Sequence, residues 1–379
     1  MKFDHLKYYI QHNISPVGQD ITNKKNHFQR REALYNQLGL TKKYLSGLEI
    51  LEVGPAEGHN AAYIASCKPK RLDLVEPNPN ANINIFKVFN KLNVSTNKTY
   101  IHKKKFEDFN LKKKFDLVIC EAWLGKNKEE RKLITKLSKF VKDNGILIIT
   151  SSSPVSFLSN IIRRFVAFNV LPKNISFEQK TNFLAKFFKN DLNTLKNMSC
   201  PHKDWVQDSL LGDGFLNMHP DPIQIFKDVG LKFNFYNSYP KFYNEWRWYK
   251  DLIENKFNLK KEFLKNYKNN IHNFIDYKKT FPPTSIKKNN LLSSQTDFLM
   301  KLLISNELKP TPKKYDAFLS ALIKINENLK KSNIVNQGFL EIINYLKKKD
   351  FNSVKHSKYF KYNFGRELFY LSLIKNLKN

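Results

Sequence analysis

Leu48–Val53 (LEILEV) is an apolar run of strand length, and it breaks directly into Gly54-Pro55-Ala56-Glu57-Gly58-His59-Asn60 before a helical pattern over Asn60–Ser66. A short apolar run, a turn of small residues and a helix form the opening of a βαβ unit, which commits the chain to a parallel sheet with helices on its faces. Gly54, Ala56 and Gly58 are small at alternate positions, so backbone can approach a ligand closely. The amides at the helix start then point at that ligand. The strand carries an acid, Glu52, next to its end.

The alternation continues downstream. Arg71–Glu76 (RLDLVE), Thr99–His102, Phe115–Cys120 (FDLVIC) and Gly145–Thr150 (GILIIT) read as strands, with helices over Asn82–Leu92 and Lys128–Val141 between them. Upstream, a helix from about Lys25 to Leu38, ended near Gly39, is expected beside the first strand. From Ser151 the pattern turns helical, over Ser156–Ala167 and Glu178–Leu195. A helix over Pro222–Val229 then leads into a late strand at Leu231–Tyr236, with Tyr243–Tyr249 as a further strand candidate. The expected organisation is an N-terminal helical segment (1–47), a sheet domain (48–250) with a helical insertion at about 151–219 over the sheet's carboxyl edge, and a helical C-terminal region (251–379).

At 379 residues the chain exceeds what one core usually supports, in keeping with these additions. Its formal charge of +31 suggests an acidic partner. The bases are nearly all Lys and evenly spread, with Arg only at Arg30, Arg31, Arg71, Arg131, Arg163, Arg164, Arg247 and Arg366. Phosphate readers favour the Arg fork. Abundant Lys, Asn, Ile, Phe and Tyr together are what an AT-rich genome imposes, so a nucleic-acid partner is not favoured. Three scattered cysteines, Cys67, Cys120 and Cys200, exclude a disulfide scaffold and a Cys-based zinc module. No apolar stretch reaches the ~18 residues of a membrane span. The first residues carry Lys2, Asp4 and Lys7 without a leader pattern, so a mature cytoplasmic protein is expected.

Glu76 closes the second strand eighteen residues after Gly58. An acid there can accept both hydroxyls of a ribose. A dinucleotide fingerprint G-x-G-x-x-G aligned from Gly54 would end on His59, too large for close helix–strand packing. The order acid-x-G-x-A-x-G instead resembles the first motif of the class I S-adenosylmethionine-dependent methyltransferases, with Ala56 at the middle glycine. The resemblance covers about residues 48–150 and the strand near 231, with Glu76, Phe115-Asp116-Leu117-Val118 and Asn144-Gly145 in register. It implies a Rossmann-like α/β sheet and S-adenosyl-L-methionine as cofactor. Carried over by position, it implies that Glu52 anchors the loop and approaches the methionine amino group, and that Gly54, Ala56 and Gly58 line the methionine portion. Glu76 binds the ribose with Asn78 beside it, and Phe106 and Glu107 lie where the family meets adenine; Lys105 stands where many relatives have an acid. Glu121, just past the fourth strand, faces the reacting methyl.

Nucleic-acid amino methyltransferases of this fold tend to show N/D-P-P-Y/F after the fourth strand, whereas this chain has Glu121-Ala122-Trp123-Leu124. The first expectation is therefore an oxygen of a small molecule or glycan precursor; RNA methylation is the alternative. A non-catalytic module with a degenerate pocket is a third reading, which intact Glu52, Gly54, Gly58 and Glu76 oppose. A second polar constellation runs from His202 through Asp204, Trp205 and Asp208 to Asp213, His219 and Asp221. Glu121, His202 and Asp208 are the expected catalytic residues, converging beside the methyl with Trp205 behind them. Asp221 before Pro222 also reads as a helix cap. Trp246-Arg247-Trp248-Tyr249 reads as interface core or as a stacking surface. Ile161–Phe165, with Arg163 and Arg164, reads as a helix packed on the sheet or touching a membrane.

Overall fold

The computed structural model describes residues 5–15, 18–217, 219–243, 245–251 and 258–376. The chain divides into two compact units: residues 1–152, 217–266 and 368–379 form the first, and residues 153–216 and 267–367 the second.

The first unit is built on seven strands: β1 (Glu49–Val53), β2 (Arg71–Val75), β3 (Thr99–His102), β4 (Phe115–Cys120), β5 (Val141–Ser151), β6 (Phe233–Tyr239) and β7 (Phe369–Lys375). Their order across the sheet is β3-β2-β1-β4-β5-β7-β6. The first five are parallel, and β7 runs antiparallel to both β5 and β6. Val53 pairs with Val75 on one side and Cys120 on the other, so the carboxyl ends of the three central strands lie side by side. Helices His59–Ser66, Pro79–Lys91 and Lys128–Lys139 connect the parallel strands. Their starts are set by local chemistry. Asn78 accepts from the amide of Asn80 with Pro79 in the first turn, and Asn127 accepts from the amide of Glu130. Ile50, Leu72, Leu117 and Ile148 are fully buried in the sheet, each contributing about 1.5–3 kcal/mol of apolar burial.

The sheet departs from the sequence reading at its far side. The expected helical C-terminal region does not run to the end of the chain: Phe369–Lys375 forms β7, which separates β5 from the late strand. That late strand begins at Phe233, because Leu231 lies in the exposed turn before it. Tyr243–Tyr249 adds no strand among its described residues, and its aromatics are not core: Trp246 is 92% exposed.

The second unit is helical and is assembled from two stretches that lie on either side of β6 in sequence. The first stretch supplies Leu158–Val170 and Phe177–Phe187; the second supplies Ile286–Leu308, Pro312–Lys331 and Gln337–Lys347. Arg163 joins them. Its guanidinium is fully buried, pairs with Asp191 at 2.9 Å, donates to the carbonyls of Asn363 and Phe360, and lies 3.8 Å from the centroid of Phe364. Arg164 next to it pairs with Glu307 and donates to the Gly212 carbonyl. Helix Leu158–Val170 is thus buried through both arginines, so the reading of a basic face touching a membrane is corrected. Phe165 and Phe318 stack at 3.8 Å across the same two stretches.

Candidate functional site

The turn after β1 is held by left-handed backbone at Gly54 (φ 76°), Ala56 (φ 49°) and Gly58 (φ 80°). A side chain at Gly54 would also collide with Trp123, whose Cδ1 lies 2.5 Å from where a Cβ would sit. The Trp123 indole N–H donates to the Val53 carbonyl at 2.9 Å, so the ring lies along the loop. Ala56 adopts a conformation that costs an L-residue roughly 1–2 kcal/mol. Its amide is repaid with a bond to Glu76 Oε2 at 2.9 Å.

Glu76 organises this corner. Its second oxygen accepts from the Asn78 amide at 2.8 Å, and its backbone carbonyl accepts from the Asn82 side chain. Asn78 also donates its side-chain amide to the Ile14 carbonyl, which fastens the N-terminal segment over the turn. Burial pushes the Glu76 carboxyl up to about 7, although the two backbone N–H bonds pull it down.

Glu52 and Glu121 form the second polar corner. Glu52 is buried, and its Oε2 has no hydrogen-bond partner among the described residues. Burial, and next the charge of Glu121, push it up to about 8, with Arg31 opposing. Glu121 Oε1 accepts from Arg31 Nη2 at 2.6 Å and from the Tyr35 hydroxyl at 3.0 Å. Arg31 and Tyr35 are the residues that sequence reasoning missed. They stand four apart on one face of helix Lys24–Gln37, and a rare Arg at that spacing on a helix expected beside β1 was the available signal.

Phe106 is buried, with its ring edge-on to Trp123 at 6.5 Å and near Phe140 at 5.9 Å. The Glu107 side chain is exposed, and its carbonyl accepts from Lys136 Nζ at 2.6 Å.

His219 enters the same unit from the other side. Its Nδ1 lies 2.8 Å from the Leu124 carbonyl, which can only accept, so Nδ1 carries the proton and Nε2 is the open acceptor. The segment is pinned to the carboxyl end of β5: Ser151 and Ser152 donate to the carbonyls of Pro220 and His219. Asn217 ties it to the segment after β4 through the Asn127 amide and Glu130. Burial lowers His219 to about 4, so it is neutral at ordinary pH despite the Leu124 bond that raises it.

Glu52, Gly54, Ala56, Gly58, Glu76, Asn78, Phe106, Glu107 and Glu121 all belong to the sheet unit. His202 and Asp208 belong to the helical unit. There, His202 opens the turn His202–Trp205 and Asp208 lies in the π-helical turn Val206–Leu211. Both are half-buried. Trp205 is buried edge-on to Phe364 at 6.3 Å. The Glu367 carboxyl is raised by burial and by the charge of Asp208, and accepts from Asn160 at 2.6 Å. Asp221 caps its helix through the Gln224 amide, as its sequence position suggests. Among the described residues, no group of three or more His, Cys, Asp or Glu could hold a metal ion, and no helix is long and apolar enough to cross a membrane.

The residues at the carboxyl edge fit a nucleoside that carries an amino-acid tail. An unpartnered buried carboxyl oxygen on Glu52 suits an ammonium, the left-handed loop admits a close ligand, and Glu76 closes β2 beside that loop with both oxygens accepting from backbone amides. Residues 6–186 match the family model described as a methyltransferase domain. Among solved structures, the chain is similar to PKMT2 from Rickettsia typhi, at 18% identity over 55% of this chain and 42% of that one, with a TM-score of 0.39. It is also similar to the N-methyltransferase NodS from Bradyrhizobium japonicum WM9 in complex with S-adenosyl-l-homocysteine, at 18% identity over 40% of this chain and 74% of that one (TM-score 0.31). A third is the magnesium protoporphyrin IX methyltransferase from Synechocystis PCC 6803 with bound S-adenosylhomocysteine, at 16% identity over 40% of this chain and 73% of that one (TM-score 0.32). This chain therefore spans less than half of the Rickettsia protein. No curated protein matches the sequence.

Proposed function

We propose that this chain, which is a class I S-adenosylmethionine-dependent methyltransferase, methylates an oxygen atom of a small molecule or glycan precursor. The observation that carries the oxygen reading is His219, a neutral histidine with Nδ1 committed to Leu124 and Nε2 open. A hydroxyl acceptor must lose its proton as the new bond forms, and a positioned neutral imidazole takes it, whereas a carboxylate arrives already ionised. The cofactor, when bound, supplies a methyl group on positively charged sulfur.

The chain's own residues do the rest. Glu52 receives the cofactor's ammonium, Glu76 its ribose hydroxyls with Asn78 alongside, and the Gly54–Gly58 turn its methionine backbone. Phe106 and Trp123 would exclude water beside it, and Glu107 would meet the adenine. Glu121 acts as a positioning charge, because Arg31 and Tyr35 already occupy its Oε1. His219 Nε2 would accept the proton that the acceptor hydroxyl gives up. With all three cysteines free, the cytoplasm is the proposed compartment.

Incubation of the purified protein with methyl-labelled cofactor and separated pools of glycan precursors, small metabolites and RNA tests this. Label is expected in a hydroxyl or carboxyl of the first two pools; label in RNA alone, or on an amine, contradicts it. On a labelled hydroxyl acceptor, His219→Ala should lower kcat by ~10²-fold, the scale of a lost acid–base group, with S-adenosylhomocysteine affinity unchanged.

A further inference from the structure

The segment 110–114, which leads into β4, and helix Lys128–Lys139, which leads into β5, enclose a cleft of about 560 Å³. Six lysines line it, Lys112, Lys113, Lys114, Lys132, Lys136 and Lys139, and no acid does. Three of the six are engaged: Lys113 with Glu49, Lys132 with Glu129, and Lys136 with the Glu107 carbonyl. Lys112, Lys114 and Lys139 are exposed and pair with no acid among the described residues. Both enclosing segments feed the amino ends of their strands. The cleft therefore opens on the sheet edge opposite to the one where Glu52 and Glu121 sit.

We propose that this cleft is a docking site for the phosphodiester backbone of an RNA strand, separate from the methyl-transfer site. A lysine ammonium is a point charge that meets phosphate oxygens from many directions, and six of them with no acid beside them give the cleft the charge complement of a strand of phosphates. A membrane surface would need exposed apolar side chains; here the apolar lining is Leu111 and a buried Phe140. Unpaired ammoniums facing each other repel until an anion enters. The strand would be tethered at the far edge of the sheet, so the inference does not depend on the nature of the methyl acceptor.

Binding of a labelled oligouridylate to the full chain, followed by fluorescence anisotropy across a salt series, is the test. Background charge is controlled by comparing two triple variants of equal net charge: Lys112→Glu, Lys114→Glu and Lys139→Glu in the cleft, and Lys42→Glu, Lys43→Glu and Lys70→Glu at exposed positions elsewhere in the same unit. The cleft variant should bind ~10²-fold more weakly. The slope of log K against log salt should drop by about 2, as for three lost single-strand phosphate contacts. The control variant should lose less than about threefold. Retained binding of S-adenosylhomocysteine reports that each variant is folded; if charge reversal abolishes it, the Gln triple at the same cleft positions carries the comparison. Equal losses in the two variants overturn the proposal, because the charge then acts as a diffuse background. Competition by polyglutamate as strong as by unlabelled RNA also overturns it, in favour of an acidic protein partner.

Discussion

Both units bury charge, but they close it differently. In the helical unit, Arg163 meets Asp191 and two carbonyls, and Arg164 meets Glu307 and a third. Opposite charges and acceptors surround each guanidinium, so these groups hold two stretches of chain together. In the sheet unit, Glu76 is satisfied only by backbone amides, and Glu52 keeps an oxygen without a partner. No cation of the described chain closes either carboxyl directly. Asp191 too keeps one oxygen without a hydrogen bond, so what separates the two sides is the opposite charge: Arg163 meets Asp191, whereas no cation meets Glu52 or Glu76, and it is there that we propose a ligand completes the site.

The contrast is broken most violently on the closed side. Arg163→Ala leaves Asp191 uncompensated in the interior and should destabilise the protein by ~3–5 kcal/mol, read as a fall in the denaturant midpoint. A loss below ~1 kcal/mol would mean that the pair does not organise the helical unit. On the open side, Glu76→Ala should weaken S-adenosylhomocysteine binding by ~1–3 kcal/mol in calorimetry, the value of a charged hydrogen bond.

A subtler effect follows from pH. The folded-state values of Glu52 and Glu76, about 8 and about 7, lie above the ordinary carboxyl range. The folded chain therefore holds protons that the unfolded chain has released. The stability these groups contribute is fully present below pH ~4.5 and is lost as pH rises through about 7 to 8. Cofactor affinity runs the opposite way, rising over the same window as the carboxylates form. Glu52→Gln should raise the melting temperature at pH 8 and weaken cofactor binding there, an exchange of function for stability. A variant that loses on both counts would show that Glu52 is a structural charge. The smallest expected effect is optical. Trp123 lies along the Gly54 turn, so S-adenosylhomocysteine should change the intrinsic tryptophan emission, and Trp123→Phe should abolish that change while Trp246 and Trp248 remain.

How much of this was legible beforehand depended on how far apart in sequence the partners lie. The β1 turn and helix are local: LEILEV, the small residues and the helix start sit within twenty residues, and the structure follows them closely. Glu76 was legible through its fixed spacing from Gly58. β7 was not, because FYLSLIK is a short apolar run that a buried helix could equally contain, and its partner Ile148 lies more than two hundred residues upstream. For the same reason Arg31 and Tyr35 were missed as holders of Glu121: a salt bridge across ninety residues leaves no periodic trace. The two stretches of the helical unit meet through Arg163, on a helix that the sequence pattern reads as packed on the sheet or touching a membrane. His219 was singled out only as one polar residue in a run; its tautomer depends on the Leu124 carbonyl, which no side-chain pattern reports.

The proposed ammonium site at Glu52 is tested most directly by calorimetry of S-adenosylhomocysteine binding near pH 7.5, in two buffers of different ionisation enthalpy. Binding should be micromolar or tighter and should release protons from the protein, because an arriving ammonium favours the ionised form of Glu52. Glu52→Gln should reduce that release. Absence of binding, binding of NAD in its place, or binding with a proton count that Glu52→Gln leaves unchanged would contradict it.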